Sequence, residues 1–312
     1  MTPRPGTPPS PTAGAATRPV VLVTGGAQRI GREIVLHLAQ AGHDIALHYR
    51  RSADEADATA RAARAAGARA ECFAADLADE ADARGLVPAV VERFRRLDAV
   101  VANASAFEYD APASFSYARL GAMMAANTAP AVVLAQALHD HLAGCSEVGC
   151  VVTLLDQKLW NPNPDYFSYS LSKAALQAAT VMLAQALAPR VRVCGVAPGV
   201  TLVSGPMSEA EFAAARTMTP LGRSSTPADI ARAVRFLIES PAITGTTLLV
   251  DGGQHLQGQP RDVLFLAQQA PRGTEPDPEP DTVPAALVDD AHADTVPGAL
   301  DERPHPHPGP TT

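Results

Sequence analysis

Tyr169 and Lys173 stand four positions apart in YSLSK, a spacing that on a helix places phenol and amine on one face, one turn apart. A phenol with an ordinary pKa of ~10 exchanges protons poorly near neutral pH, and a neighbouring ammonium favours its ionised form. YxxxK is a common pattern that usually means a solvated pair. In this chain, however, Lys158 and Lys173 are the only lysines among 25 Lys and Arg residues. A position that keeps lysine in so arginine-rich a background uses a compact ammonium rather than a flat guanidinium. Asn127 is a polar residue in the apolar stretch MMAANTAPAVVL, three residues before Pro130. Buried beside a helix-disturbing proline it needs a partner, and a hydrogen bond closing the broken helix would supply one.

A second group of residues has the makings of a phosphate site. The apolar run VVLVT leads straight into Thr24-Gly25-Gly26-Ala27-Gln28-Arg29-Ile30-Gly31 and then a helical pattern. Strand, glycine turn and helix start together direct backbone N–H groups and the positive end of the helix dipole at a pyrophosphate. A glycine turn alone is often only a tight turn; its place after the first strand argues for the phosphate. The second apolar run ends in His48-Tyr49-Arg50-Arg51-Ser52, where an acidic residue would bind a ribose 2′-hydroxyl. Arg51, Ser52 and Arg29 suit a 2′-phosphate instead, so the expected cofactor is NADPH; a solvated arginine pair is the plainer alternative.

The elements that must carry these groups follow from periodicity. Apolar runs at 20–24, 44–49, 68–75, 98–103, 150–155, 190–196 and 246–250 alternate with longer helical patterns, the signature of a parallel sheet covered by helices. The expected fold is α/β, a Rossmann-type doubly wound parallel seven-stranded sheet in a single domain over 19–256. Residues 1–18, rich in Pro, Thr and Gly, read as a disordered arm, and 257–312 as an extension in which RDVLFLAQQ precedes an acidic, Pro-rich, mostly disordered tail. The tail's three histidines read as solvated rather than metal-binding. Helical stretches at 120–138 and 171–187 are apolar nearly all round and need cover on more than one side, from a second subunit in a homo-oligomer or from loops of the same chain.

Of the 33 acidic and 25 basic residues, nine and two lie from Pro271 onward, which leaves 24 against 23 elsewhere. The folded part is thus nearly neutral, which disfavours nucleic acid as a partner. No run of eighteen apolar residues and no signal-like N-terminus is present, so a cytoplasmic protein without membrane contact is expected. Four scattered cysteines suggest neither a metal site nor a disulfide framework.

TGxxxRxG at 24–31, Asn103-Ala104-Ser105, YxxxK at 169–173, APG at 197–199 and DGG at 251–253 together resemble the short-chain dehydrogenase/reductase family, over about Val20 to His255. Arg29 replaces the family's middle glycine, and Asp156 stands where most members carry a carbonyl-polarising serine. With HYRRS and an aromatic after Asn103-Ala104-Ser105, these departures are similar to pteridine reductases and dihydromonapterin reductases. The resemblance implies a cofactor site of Thr24, Gly25, Arg29, Ile30, Gly31, Arg51, Ser52, Asp76, Leu77, Asn103, Ala104, Ser105, Tyr169, Lys173, Pro198 and Gly199, with Asp76 at the adenine.

It also implies that Asn127 extends a proton relay from Tyr169 and Lys173 through water, and that a pterin is contacted by Arg29, Ser105, Asp156 and Tyr169. Phe107 would stack that pterin, or else simply pack in the core. Trp160 and Tyr166 would flank the approach, and the loop 201–218 would close over it. The implied reaction passes a hydride from NADPH to a C=N bond while Tyr169 supplies the proton and Asp156 assists. The alternatives are a β-ketoacyl-type carbonyl reductase and a non-catalytic NADP-binding regulator. A dimer or tetramer is expected.

Overall fold

The computed structural model describes residues 18–203 and 207–269. Residues 1–17 of the arm expected over 1–18 and the acidic tail lie outside the described residues, whereas Arg18 is tied to the fold by bonds to Gly42 O at 2.9 Å and Ala39 O at 3.0 Å.

Seven short apolar segments form the strands: β1 (Val20–Val23), β2 (Asp44–Tyr49), β3 (Ala70–Ala74), β4 (Ala99–Ala102), β5 (Gly149–Leu154), β6 (Val191–Pro198) and β7 (Thr247–Val250). All pair in parallel, in the order β3-β2-β1-β4-β5-β6-β7. Side chains alternate across a strand, so each strand feeds two cores. Val21, Val23, Ile45, Leu47, Cys150 and Val152 face one layer, whereas Val20, Leu22, Ala46 and Val151 face the other. Parallel strands covered on both faces read as continuous apolar runs, which is why composition located them.

The first layer is α1 (Arg29–Gln40), α2 (Ala53–Ala65) and α8 (Pro227–Glu239), which bury Ile34, Leu38, Ala60, Ile230 and Leu237. The second includes α3 (Glu80–Phe94), α5 (Ala129–His141) and α6 (Phe167–Ala186), with Leu86, Val90, Leu134 and Leu138 at its centre. Each of these Leu, Ile and Val side chains taken out of water contributes roughly 1.5–3 kcal/mol.

The expected continuous helix at 120–138 is two: α4 (Tyr117–Asn127) ends at Thr128 and α5 starts with Pro130 in its first turn. Proline has no N–H to continue α4, and Thr128 Oγ1 instead donates to Ser172 O at 2.8 Å. The combined stretch Tyr117–His141 is, by length and composition, apolar enough to cross a membrane. Its α5 half spends that apolarity on the second core.

The described chain continues past residue 256. After α7 (Glu209–Thr217), a segment ending in α9 (Val263–Gln269) packs Val263 and Leu264 with Met207 and Ala215. It belongs to the same compact unit as the sheet.

Candidate active site

Strand order reverses between β1 and β4, and the crevice outside the strands' C-terminal ends there is where open α/β sheets bind ligands. A cavity of about 530 Å³ lies along it.

One half is built from backbone. Gly25 has φ +61°, and a Cβ on Gly31 would sit 2.0 Å from Gly25 O, so the turn closes only without side chains at these points. Asn103 Nδ2 donates to Thr24 O at 2.9 Å and Gly25 O at 3.2 Å, while Thr24 Oγ1 accepts the N–H groups of Asn103 and Ala104, both at 2.9 Å. Thr24 is therefore a buried tie behind the lining, and Gly25, Ile30, Gly31, Asn103 and Ala104 form the lining itself.

His48, which motif reasoning missed, also faces this turn. Its Nδ1 accepts the Gly25 N–H at 3.1 Å and Nε2 lies 3.1 Å from Ala75 O, which requires the Nε2–H tautomer. Burial holds the ring neutral by lowering its pKa, against the carbonyl bond that raises it.

Arg29 occupies the family's glycine position with φ +54°, in the left-handed region, and its Nη2 donates to Val203 O at 2.8 Å. Ser52, Asp76 and Leu77 lie farther along the lining. Arg51 does not; Arg50 lines the cavity instead, 3.9 Å from Asp76. Consecutive residues leaving a strand point to opposite sides, so Arg50 and Arg51 do not share one side of the turn. No acidic residue stands at the end of β2, and the glycine cradle, helix start and Arg50 with Ser52 fit a phosphorylated dinucleotide.

The reactive half sits where β5 and α6 meet. Tyr169 OH donates to Asp156 Oδ2 at 2.8 Å, and Asp156 Oδ1 accepts the Lys158 N–H at 2.9 Å. Burial pushes the Asp156 carboxyl above its ordinary value, opposed by these hydrogen bonds and by the nearby ammonium groups. Burial and the adjacent Asp156 raise Tyr169 well above 10. The expected tilt of Tyr169 towards phenolate is therefore reversed. Lys173 Nζ is directed at Leu154 O, 2.7 Å away, and lies 5.8 Å from the Tyr169 ring centre, while burial lowers its own pKa to about 8. Tyr169 therefore holds its proton in the bond to Asp156; a phenol of raised pKa gives it up reluctantly, so the Asp156 carboxyl and the Lys173 ammonium have to ease its release.

The side chain of Asn127 does not make the bond expected to close the proline-broken helix. Its Oδ1 accepts the Ala106 N–H at 2.7 Å and the Ser105 hydroxyl at 3.1 Å, and its Nδ2 donates to Ala106 O and Ser172 Oγ. It staples the loop after β4 to α6 from behind the lining. Ser105 and Phe107 on that loop do line the cavity. Phe107 is 41% exposed rather than core, stacked on Tyr166 at 4.2 Å and edge-on to Tyr169 at 4.7 Å. Tyr166 is buried in that stack. Trp160 is exposed and outside the lining.

Pro198 and Gly199 line the cavity as expected, and from the loop after them so do Thr201, Leu202 and Met207, with 204–206 outside the described residues. Sequence motifs also passed over Gln157, Lys158, Gln259, Asp262 and Val263, all on the lining. The scarcity of lysine was the one signal pointing to Lys158.

A family model described as enoyl-(acyl carrier protein) reductase matches residues 25–255. The chain is 35% identical to an uncharacterised oxidoreductase of Methylorubrum extorquens over 75% of this chain and 96% of that protein. It is 34% identical to ketoacyl reductase 2 of the granaticin polyketide synthase from Streptomyces violaceoruber, covering 78% and 98%. Among solved structures, FolM alternative dihydrofolate reductase 1 from Brucella canis, complexed with NADP, aligns with a TM-score of 0.72 and 40% identity over 77% of this chain and 96% of that one. The Brucella suis protein of the same description, also with NADP, gives 0.71 and 40% over 78% and 97%.

Proposed function

The chain belongs to the short-chain dehydrogenase/reductase family of oxidoreductases, and from that premise we propose that it is an NADPH-dependent reductase of the C=N bond of a dihydropterin. The observation that carries this reading is the 2.8 Å hydrogen bond from Tyr169 to Asp156, a carboxyl at the position of the usual serine. A serine hydroxyl polarises a carbonyl oxygen, whereas a carboxyl of raised pKa can both accept from ring N–H groups and return a proton to nitrogen. The Brucella structures, 40% identical and described as alternative dihydrofolate reductases, support the same substrate class.

The nicotinamide coenzyme supplies the hydride. Gly25, Gly31 and the start of α1 hold its pyrophosphate, Arg50, Ser52 and Arg29 meet the 2′-phosphate, and Asp76 with Leu77 borders the adenine. Tyr169 delivers the proton, Asp156 shares and replenishes it, and Lys173 holds positive charge beneath them. Phe107 offers an exposed aromatic face to a planar ring.

The second reading, a ketoacyl-type carbonyl reductase, draws on the granaticin relative. The proposal also includes a cytoplasmic location and a homo-oligomer, with Tyr117 of α4 and Leu171, Val181 and Met182 of α6 as exposed apolar residues for another subunit to cover.

The test is NADPH and NADH oxidation by the purified chain with dihydrobiopterin, dihydromonapterin, dihydrofolate and acetoacetyl esters. Faster turnover of dihydropterins than of ketones, with NADPH preferred, is expected. Ketone turnover without dihydropterin turnover moves the assignment to the carbonyl reductases.

A further inference from the structure

The Lys158 ammonium makes no hydrogen bond to Asp156 or Tyr169, yet the residue is 4% exposed. Its ammonium donates to Asp165 O at 2.6 Å and to Asp262 Oδ2 at 3.2 Å. A buried charge persists only where it is matched. The match comes from the segment between Gln257 and α9, which no motif covers.

That segment is firmly held. Asp165, 3% exposed, accepts Arg261 Nε at 2.8 Å, Arg261 Nη2 at 3.0 Å and the Asp262 N–H at 2.8 Å. Burial alone would raise the Asp165 pKa, but Arg261 and that N–H hold it below its ordinary value. Asn161 adds bonds to Gln254 O and Gln257 O. Gln259, Asp262 and Val263 are thereby fixed on the wall of the cavity that holds Asp156 and Tyr169.

Asp262 spends one lone pair of Oδ1 on the Leu264 N–H and one of Oδ2 on Lys158, and its side chain remains 20% exposed. A carboxylate has about four acceptor sites, so acceptor capacity is left over. On the same lining, Gln157 Oε1 is buried without a hydrogen-bond partner. An acyl chain or a simple ketone offers such a wall no donors and strips its hydration. A flat heterocycle bearing amino and ring N–H groups satisfies it.

We propose that Asp262, oriented by Lys158, is a specificity-determining residue that accepts hydrogen bonds from an N–H edge of the substrate. The assignment rests on the dihydropterin reading and names the residue that separates that substrate from carbonyl compounds. Asp156 acts on the reacting bond; Asp262 reads the ring away from it.

The experiment compares wild type and Asp262→Asn for 7,8-dihydrobiopterin and ethyl acetoacetate, with NADPH affinity and melting temperature measured alongside. Hydrogen bonds to a charged group are worth enough that KM for the pterin should rise about 10- to 100-fold, more than kcat falls. KM for any ketone turnover and the NADPH Kd should stay put. A variant that fails to fold is replaced by Lys158→Met/Asp262→Leu, which exchanges the buried pair for apolar side chains and should show the same selective rise. An unchanged pterin KM, or equal rises for both substrates, overturns the role of Asp262 while leaving the pterin reading intact. A wild type that reduces the ketone but no dihydropterin overturns that reading, and this assignment falls with it.

Discussion

Asp156 and Tyr169 share one hydrogen bond, and burial raises the pKa of both groups, so Tyr169 stays neutral near pH 7 with its proton directed at Asp156. Replacing the carboxyl separates the two substrate readings. Asp156→Ser should lower dihydropterin turnover about 10²- to 10⁴-fold, the usual worth of general acid–base assistance, with NADPH binding unchanged. A ketone reductase would keep or gain activity from the same change, and steady-state kinetics on both substrates decides. Lys173 makes a second prediction. Its pKa falls from the ordinary 10.5 to about 8 on burial, so the unfolded chain binds more protons than the folded one between those values. The group's contribution to stability is thus present above 10.5 and lost as pH falls through about 8. The melting-temperature difference of Lys173→Met minus wild type should then be largest below pH 8 and shrink as pH rises towards 10.5. A difference that does not vary with pH would show that Lys173 titrates normally.

At the scale of elements, the first turn of α1 carries a conflict between backbone and side chain. Arg29 holds φ +54° where glycine would be relaxed, a cost of roughly 1–2 kcal/mol for an L-residue. Its guanidinium reaches Val203 O across the cavity mouth. Arg29→Gly should raise the melting temperature, by about 2–4 °C per kcal/mol gained in a domain of this size, while weakening NADPH binding. Thermal melts and fluorescence titration measure both, and a lower melting temperature with unchanged affinity would refute the trade-off. The seven strands, the glycine turn and YxxxK were legible because each writes a local pattern: apolar runs, a steric requirement, a one-turn spacing. The break at Thr128 was half legible, since Pro130 marks it but does not say that Ser172 will take up the freed chain. That Arg50 rather than Arg51 lines the cavity was not legible, because a turn leaving a strand decides which of two neighbours faces inward. Asp262 was hidden for a different reason: its partners Lys158 and Asp165 are about a hundred positions away, and only folding brings them together.

For the whole molecule, the question is where the working unit ends. The described contacts run through α9, and the tail from Pro271 has the acidic, Pro-rich composition of chain that buries little apolar surface. A chain ending at residue 270 should keep wild-type turnover and melting temperature. Ending at residue 256 removes Gln259, Asp262 and Val263 from the cavity wall, and it strands two buried charges. Lys158 loses Asp262 and Asp165 loses Arg261, with only 5% and 4% of their side chains exposed. Breaking one partner out of a buried pair such as Lys158–Asp262 typically costs about 3–5 kcal/mol, against a total stability of only about 5–15 kcal/mol for a domain, while the Asp165–Arg261 pair, with the Arg261 side chain 41% exposed, adds less. The shorter chain should therefore melt well below the longer one and lose dihydropterin turnover, even under conditions where it still binds NADPH through Gly25 and Gly31. Equal melting temperatures for the two truncations would mean that the Lys158 and Asp165 pairs contribute nothing to the fold, and that the catalytic unit does end where the motifs do.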